Sequence, residues 1–122
     1  MLDTHVAVAL YEGRAGGLGA STKRAIDREV VTISPAVLLE LELLREIRRL
    51  REGARIIAAR LAEDLDIRVA VERFADVATE ALALGFTRDP FDRLIVAHAS
   101  LAKAGLVTQD ETIRYAYPKA MG

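Results

Sequence analysis

Short apolar runs alternate along the chain with longer stretches whose apolar positions recur every three or four residues. That alternation predicts short strands separated by amphipathic helices. Met1 to Thr4 ends a short strand, and His5 to Tyr11 reads as helix. Ser21 to Arg28 forms a short polar helix. Val30 to Ile33 is wholly β-branched and predicts a strand. Ser34 then caps a helix with Pro35 in its first turn, running to about Arg51 and breaking near Gly53. A second helix covers about Ala54 to Leu65, and Ile67 to Val71 is a strand. Glu72 to Leu84 is a helix closed by Gly85. Asp89 caps a helix from Pro90 to Lys103, closed in turn by Gly105. Leu106 to Thr108 is a short strand, and Asp110 caps a last helix to about Tyr115.

Strands that alternate with helices imply a parallel sheet covered on both faces. The two consecutive helices between Pro35 and Leu65 are long for a simple crossover and predict a helical hairpin beside the sheet. The first of them is apolar on two sides, with Val37, Leu41 and Leu44 on one and Leu39, Leu43, Ile47 and Leu50 on the other. One side can face the sheet. The other is either covered by the Ala54–Leu65 helix or left as a groove for a partner segment.

The 122 residues suit one domain over residues 1–122, and 52% apolar content is ample for a layered core. Without cysteine there is no disulfide framework and no thiolate metal site. Asp3 and His5 interrupt the N-terminal apolar run, so no secretory leader is expected, and no stretch reaches the ~20 apolar residues of a membrane span. A soluble, cytoplasmic protein is expected. The net charge of −1 excludes binding of nucleic acid by bulk charge alone. Positive charge is nevertheless local: six arginines and two acids lie between Arg45 and Arg60. Glu12 to Ala20 carries four glycines in no evident pattern.

Ligands of such sheets collect beyond the carboxyl ends of the strands. Asp3 and Asp110 end strands there, and Asp92 lies in the first turn of the helix leading to the last of them. Asp3 and Asp110 equally suit plain helix caps, Asp92 complements a helix dipole, and Asp89 before Pro90 is chiefly a cap. Glu40 differs. Its helical neighbours Ala36, Val37, Leu43, Leu44 and Ile47 are all apolar, and a carboxylate in such a stripe is costly unless compensated. Glu42 instead faces Arg45, Glu46 and Arg49 on a solvated face. Carboxylates gathered at one edge repel each other, which Mg²⁺ or Mn²⁺ would relieve, since both prefer oxygen ligands. With two histidines and no cysteine, zinc is not expected. His5 reads as structural or supporting, and His98 as a satisfied core residue.

Four segments, LDTHVAV, SPAVLLEL, RDPFDRLIVAHA and LVTQD, occur in an order and spacing that resemble the PIN-domain family, most closely its VapC-type toxins. The resemblance implies a three-layer α/β/α PIN-like fold with a short, mainly parallel central sheet and a protruding helical hairpin. It implies a metal-dependent endoribonuclease using Mg²⁺ or Mn²⁺, with RNA as substrate, a VapB-like antitoxin as partner, and a homodimer. Residue by residue, Asp3, Glu40, Asp92 and Asp110 match the family's acidic quartet, with Asp3, Asp92 and Asp110 as metal ligands. Thr108 matches the hydroxyl residue beside the metal site. Arg93 matches an arginine that either bridges to a neighbouring acid or contacts substrate, the former being favoured. Two features depart from the family: only Met1 and Leu2 precede Asp3, and the C-terminal strand is short or missing. The first means a trimmed sheet edge or a start further upstream.

Two other readings compete. A phospho-acceptor receiver domain needs paired acids after the first strand and a lysine after a late one. Here Glu72 stands in helix-like sequence and Lys103 within a helix. A non-catalytic RNA- or protein-binding module would keep the fold and lose acids, whereas all four are present.

Overall fold

A single residue holds the centre of the sheet. A computed structural model of the protein describes residues 1–122. The elements run α1 (Thr4–Tyr11), a 3-10 turn (Ala15–Gly17), α2 (Ala20–Arg28), β1 (Thr32–Ile33), α3 (Pro35–Glu46) and α4 (Ala54–Leu65). There follow β2 (Arg68–Val69), α5 (Phe74–Ala81), α6 (Pro90–Leu101), β3 (Leu106–Val107), α7 (Glu111–Ala116) and β4 (Ala120–Met121). β1 pairs with β2, and β3 with β4, both in parallel. Leu2 joins the two pairs, bridging Ile33 on one side and Val107 on the other, again in parallel. The order across the sheet is β2, β1, Leu2, β3, β4. The first strand is therefore reduced to one bridge residue, and the C-terminal strand, expected to be short or missing, is present as two residues on the edge.

Burial is deepest at the centre of the sheet and falls off at its edges, where Arg68 of β2 is exposed and both residues of β4 are partly covered. Leu2, Ile33 and Leu106 are fully enclosed, together with Val37 and Leu41 of α3, Ile57 and Leu61 of α4, and Ile95 of α6. Helices cover this layer on both sides, completing the three-layer α/β/α arrangement; α5 lies on α6, α6 on α3, and α4 against both α3 and α1. No helix is long and apolar enough to cross a membrane.

The helical hairpin forms as expected, but its first arm is shorter. α3 ends at Glu46 rather than near Arg51 because Arg48 turns into the left-handed region (φ 63°) and the Arg49 amide donates back to the Leu44 carbonyl at 2.8 Å. Such a return bond satisfies the last carbonyls and reverses the chain. Glu42 fastens the turn: its carboxylate accepts from the Ala54 amide at 3.0 Å, capping α4, and pairs with Arg45 at 2.6 Å. A Cβ at Gly53 would meet the Glu42 carboxylate at 2.8 Å, so a larger residue there would displace that side chain. On the outer face of α3, Leu39, Leu43 and Ile47 stay 57%, 38% and 62% exposed. The α4 helix does not cover them.

The glycine stops after α5 and α6 are not where those helices end. α5 spans Phe74–Ala81 because Glu72 is diverted to His98 and the Arg93 guanidinium takes the final carbonyls, Ala81 at 2.9 Å and Leu82 at 3.3 Å. Gly85 has an ordinary φ. α6 ends through Lys103 at φ 55°, with the Ala104 amide donating to the Ala99 carbonyl at 2.9 Å, not through Gly105. A left-handed lysine is strained by about 1–2 kcal/mol relative to glycine. Lys103→Gly is therefore expected to stabilise the protein by about 1 kcal/mol, a rise of roughly 4 °C in Tm by thermal melting. A Tm that stays level or falls would show that the turn carries no such strain.

Candidate functional site

Three helices begin at the carboxyl edge of the sheet, each capped by an aspartate. Asp3 follows Leu2 and caps α1, its Oδ1 accepting from the Val6 amide at 2.9 Å. Asp89 caps α6 by accepting from the Phe91 and Asp92 amides. Asp110 follows β3 and caps α7, accepting from the Ile113 amide at 3.0 Å. The cap role expected of each is real. It leaves spare acceptor capacity on each carboxylate, so capping and a site role are compatible.

Hydroxyls tie these caps together. The fully buried Thr108 donates from Oγ1 to the free Oδ2 of Asp3 and accepts from the Asp110 amide at 3.0 Å, coupling the ends of two strands. Thr4, in the first turn of α1, donates to Oε1 of Glu40 and draws α3 to the same edge. Asp92 projects from the first turn of α6, half-buried, and its carboxylate has no hydrogen-bond donor or cation within bonding distance.

The acids feel one another. Burial raises the Asp3 carboxyl above its usual range, eased by the Thr108 hydroxyl and the Val6 amide, and Asp110 adds to the rise. Glu40 is raised by burial, eased by Thr4, and raised again by Asp89 and Asp3. Asp92 is pushed up to about 6, first by burial and then by Asp89, Asp110, Glu40 and Asp3. Asp3, Glu40, Asp92 and Asp110, scattered over the chain, thus share one edge, and none of them forms a salt bridge. The exposed His5 lies near both Asp3 and Glu40 and partly eases the rise in each.

No three histidine or acidic side chains stand close enough together to hold one ion directly. The donor chemistry nonetheless suits a hard, hydrated cation: every group is a carboxylate or hydroxyl oxygen, and such ions keep several waters between themselves and the protein. Uncompensated carboxylates with raised pKa are what a bound cation would relieve.

Two expected roles need revision or addition. Arg93 bridges to no acid; its Nε and Nη2 donate to the carbonyls that end α5. Asp89 proves to be a fifth charge at the edge, and after burial the foremost cause of the shift at Asp92. The i+3 spacing of the two aspartates within DPFD carries that signal, since residues three apart on a helix are neighbours. His98 is satisfied in the core, between Ser34 and Glu72.

The family model described as PIN domain matches residues 1–117. Among solved structures, the chain is similar to VapBC2 from Rickettsia felis bound to a DNA fragment from its promoter, at 21% identity and a TM-score of 0.65. It is similar also to a toxin–antitoxin complex from Klebsiella pneumoniae, at 19% identity and a TM-score of 0.66. Each match covers 99% of this chain and 94% of the other. No curated protein matches the sequence. At these identities the structural likeness speaks for the fold.

Proposed function

The chain belongs to the PIN-domain family, and from that premise we propose that it is a Mg²⁺- or Mn²⁺-dependent endoribonuclease of the VapC toxin type, acting in the cytoplasm and neutralised by a protein antitoxin. The observation that carries this reading is the meeting of Asp3, Glu40, Asp92 and Asp110 at one sheet edge with no salt bridge to neutralise them.

In this reading Asp3, Asp92 and Asp110 hold the metal, directly or through water. A divalent cation held there would supply charge to offset the phosphate and would make a nearby water more acidic. Thr108 fixes the unused oxygen of Asp3, so that carboxylate keeps one orientation. Glu40, held by Thr4, orients the attacking water from the side of α3. Arg93 keeps α5 docked on α6 and so supports the helix that carries Asp92. RNA is cut by addition of water to phosphorus and departure of the ribose oxygen.

The partner reading rests on the uncovered face of α3. Leu39, Leu43 and Ile47 form an i, i+4, i+8 ridge of the kind that receives an amphipathic helix. Both similar structures are described as toxin–antitoxin or VapBC assemblies. A homodimer belongs to the same reading.

Cleavage of single-stranded RNA should require Mn²⁺ or Mg²⁺, stop with EDTA and return when Mn²⁺ is added back. Mn²⁺ should also raise Tm, by the equivalent of about 2.7 kcal/mol at a hundredfold excess over its Kd. Cleavage at an undiminished rate in thoroughly chelated protein would defeat the proposal. A second reading, a non-catalytic RNA- or protein-binding module, is favoured by the absence of three acids at direct coordination distance. It predicts binding without turnover under every metal.

A further inference from the structure

Beside the acidic edge lies a cleft of about 430 Å³, within the roughly 300–1,000 Å³ of ligand sites. His5 and Gln109 bring it into contact with that edge. His5 is on α1 two residues after Asp3 and is felt by both Asp3 and Glu40. Gln109 stands between Thr108 and Asp110. The floor is apolar, formed by Val6, Val8 and Leu18, and Arg14 stands at the rim. No carboxylate lines it. Four other clefts each include at least one: Glu29, Asp64, Glu72, or Glu12 and Glu52. A cleft that adjoins the acidic edge through His5 and Gln109 and has no carboxylate on its wall suits a ligand that is itself anionic.

The far wall is the glycine-rich segment. Gly17 has no positive φ, and a Cβ built on it meets nothing within 4 Å. Neither backbone conformation nor close approach demands glycine there. Gly17 lines the cleft with no side chain, and a Cβ there would stand in open space.

We propose that this cleft receives one nucleotide of single-stranded RNA adjoining the scissile phosphate, with its base on the apolar floor. The Gln109 amide and His5 ring meet the base edge, and Arg14 meets the flanking phosphate. Extruded bases are held in this manner, with a face against aromatic or apolar side chains and hydrogen bonds to the edge. The inference rests on the ribonuclease reading and adds to it a specificity subsite: Gln109 offers both donor and acceptor, so it can discriminate between bases.

Two variants separate the proposal from a general loss of fold. Gly17→Leu fills the cleft and, by the open space around Gly17, should leave Tm within about 2 °C of wild type. In an Asp92→Asn background, which binds without cutting, Gly17→Leu should weaken the affinity for a fluorescent RNA oligonucleotide at least about tenfold. Gln109→Ala, tested on oligonucleotides that differ only in the nucleotide flanking the cut, should flatten the preference in kcat/KM between best and worst base. A loss of about tenfold is expected, chiefly through KM, as for one lost base-edge contact. If wild type cleaves RNA while both variants keep its affinity and base preference, the subsite is wrong and the nuclease stands. If wild type neither binds nor cuts any RNA, both fall. Variants that lose a protein partner but handle RNA normally would assign the cleft to that partner and overturn the subsite.

Discussion

Asp92→Asn should abolish RNA cleavage and yet produce a protein that melts higher than the parent at neutral pH. Both effects have one cause. The Asp92 carboxylate receives no hydrogen bond and no cation, so asparagine, nearly the same size, loses no partner. What it loses is repulsion from Asp89, Asp110, Glu40 and Asp3 and the cost of a half-buried charge. The sign follows from the pKa, raised in the folded protein from 3.8 to about 6. Well below pH 3.8 the acid is protonated folded and unfolded, and the substitution gains nothing. As pH rises through 6 the folded protein must give up a proton it holds more tightly than the unfolded chain does. Stability is therefore lost in the parent and kept in the variant. A shift of this size corresponds to roughly 3 kcal/mol before screening, and partial solvent access reduces it to about 1–2 kcal/mol. That is several degrees of Tm at pH 7 and little at pH 4. Adding Mn²⁺ should close the gap by stabilising the parent more than the variant. Melts from pH 4 to 8, run beside an RNA assay, check this; cleavage at the parental rate, or a variant that melts lower at pH 7, would refute it.

A site that destabilises the apo protein is also the part of the molecule most legible in its sequence. Asp3 and Asp110 could be placed on one edge because each ends a strand, and all strands of a parallel sheet end on the same side. Glu40 stood out because it interrupts an apolar stripe, and it indeed lies half-buried against Thr4. The dipeptides Ser34–Pro35 and Asp89–Pro90 fixed two helix starts, where capping is a local matter of a side chain and the next amides. Helix ends were less legible for an equally physical reason. Arg48, Asp66 and Lys103 take the left-handed turn that glycine would take more cheaply, and tertiary contacts cover the cost. The favoured salt bridge of Arg93 does not form because its partners are backbone carbonyls, which leave no mark in sequence. The uncovered face of α3 depended on where α4 docks, and that is set by Glu42 bonding to Ala54 and Arg45.

The largest loss of stability is expected from His98, which no part of the proposed chemistry uses. Its ring is 1% exposed and spans three elements: Nε2 meets Oε1 of Glu72, beyond β2, at 2.8 Å, and Nδ1 meets the Ser34 hydroxyl at 3.0 Å. An ionised Glu72 can only accept, which assigns the proton to Nε2. With that proton on Nε2, Nδ1 is placed to accept from Ser34, whose oxygen still accepts from the Ala36 amide at 3.2 Å and so caps α3. Every polar atom in the set is satisfied, and α6, which carries Asp92, is keyed to the start of α3, which carries Glu40. His98→Leu fills most of the volume but strands the buried Ser34 hydroxyl and releases Glu72. The cost should be about 3 kcal/mol, or some 10 °C of Tm. Glu72 adds a pH signature. Its carboxyl is held below the usual range by the bond from His98, so its contribution is present above the ordinary glutamate pKa and is lost as pH falls through the folded value. That acid-side loss should vanish in His98→Leu, and Ser34→Ala should cost much less in that background than alone, because the two groups act as one unit. Additive losses for Ser34→Ala and His98→Leu, or a His98→Leu melt within two degrees of the parent, would mean that α3 and α6 are held in place by apolar contact alone.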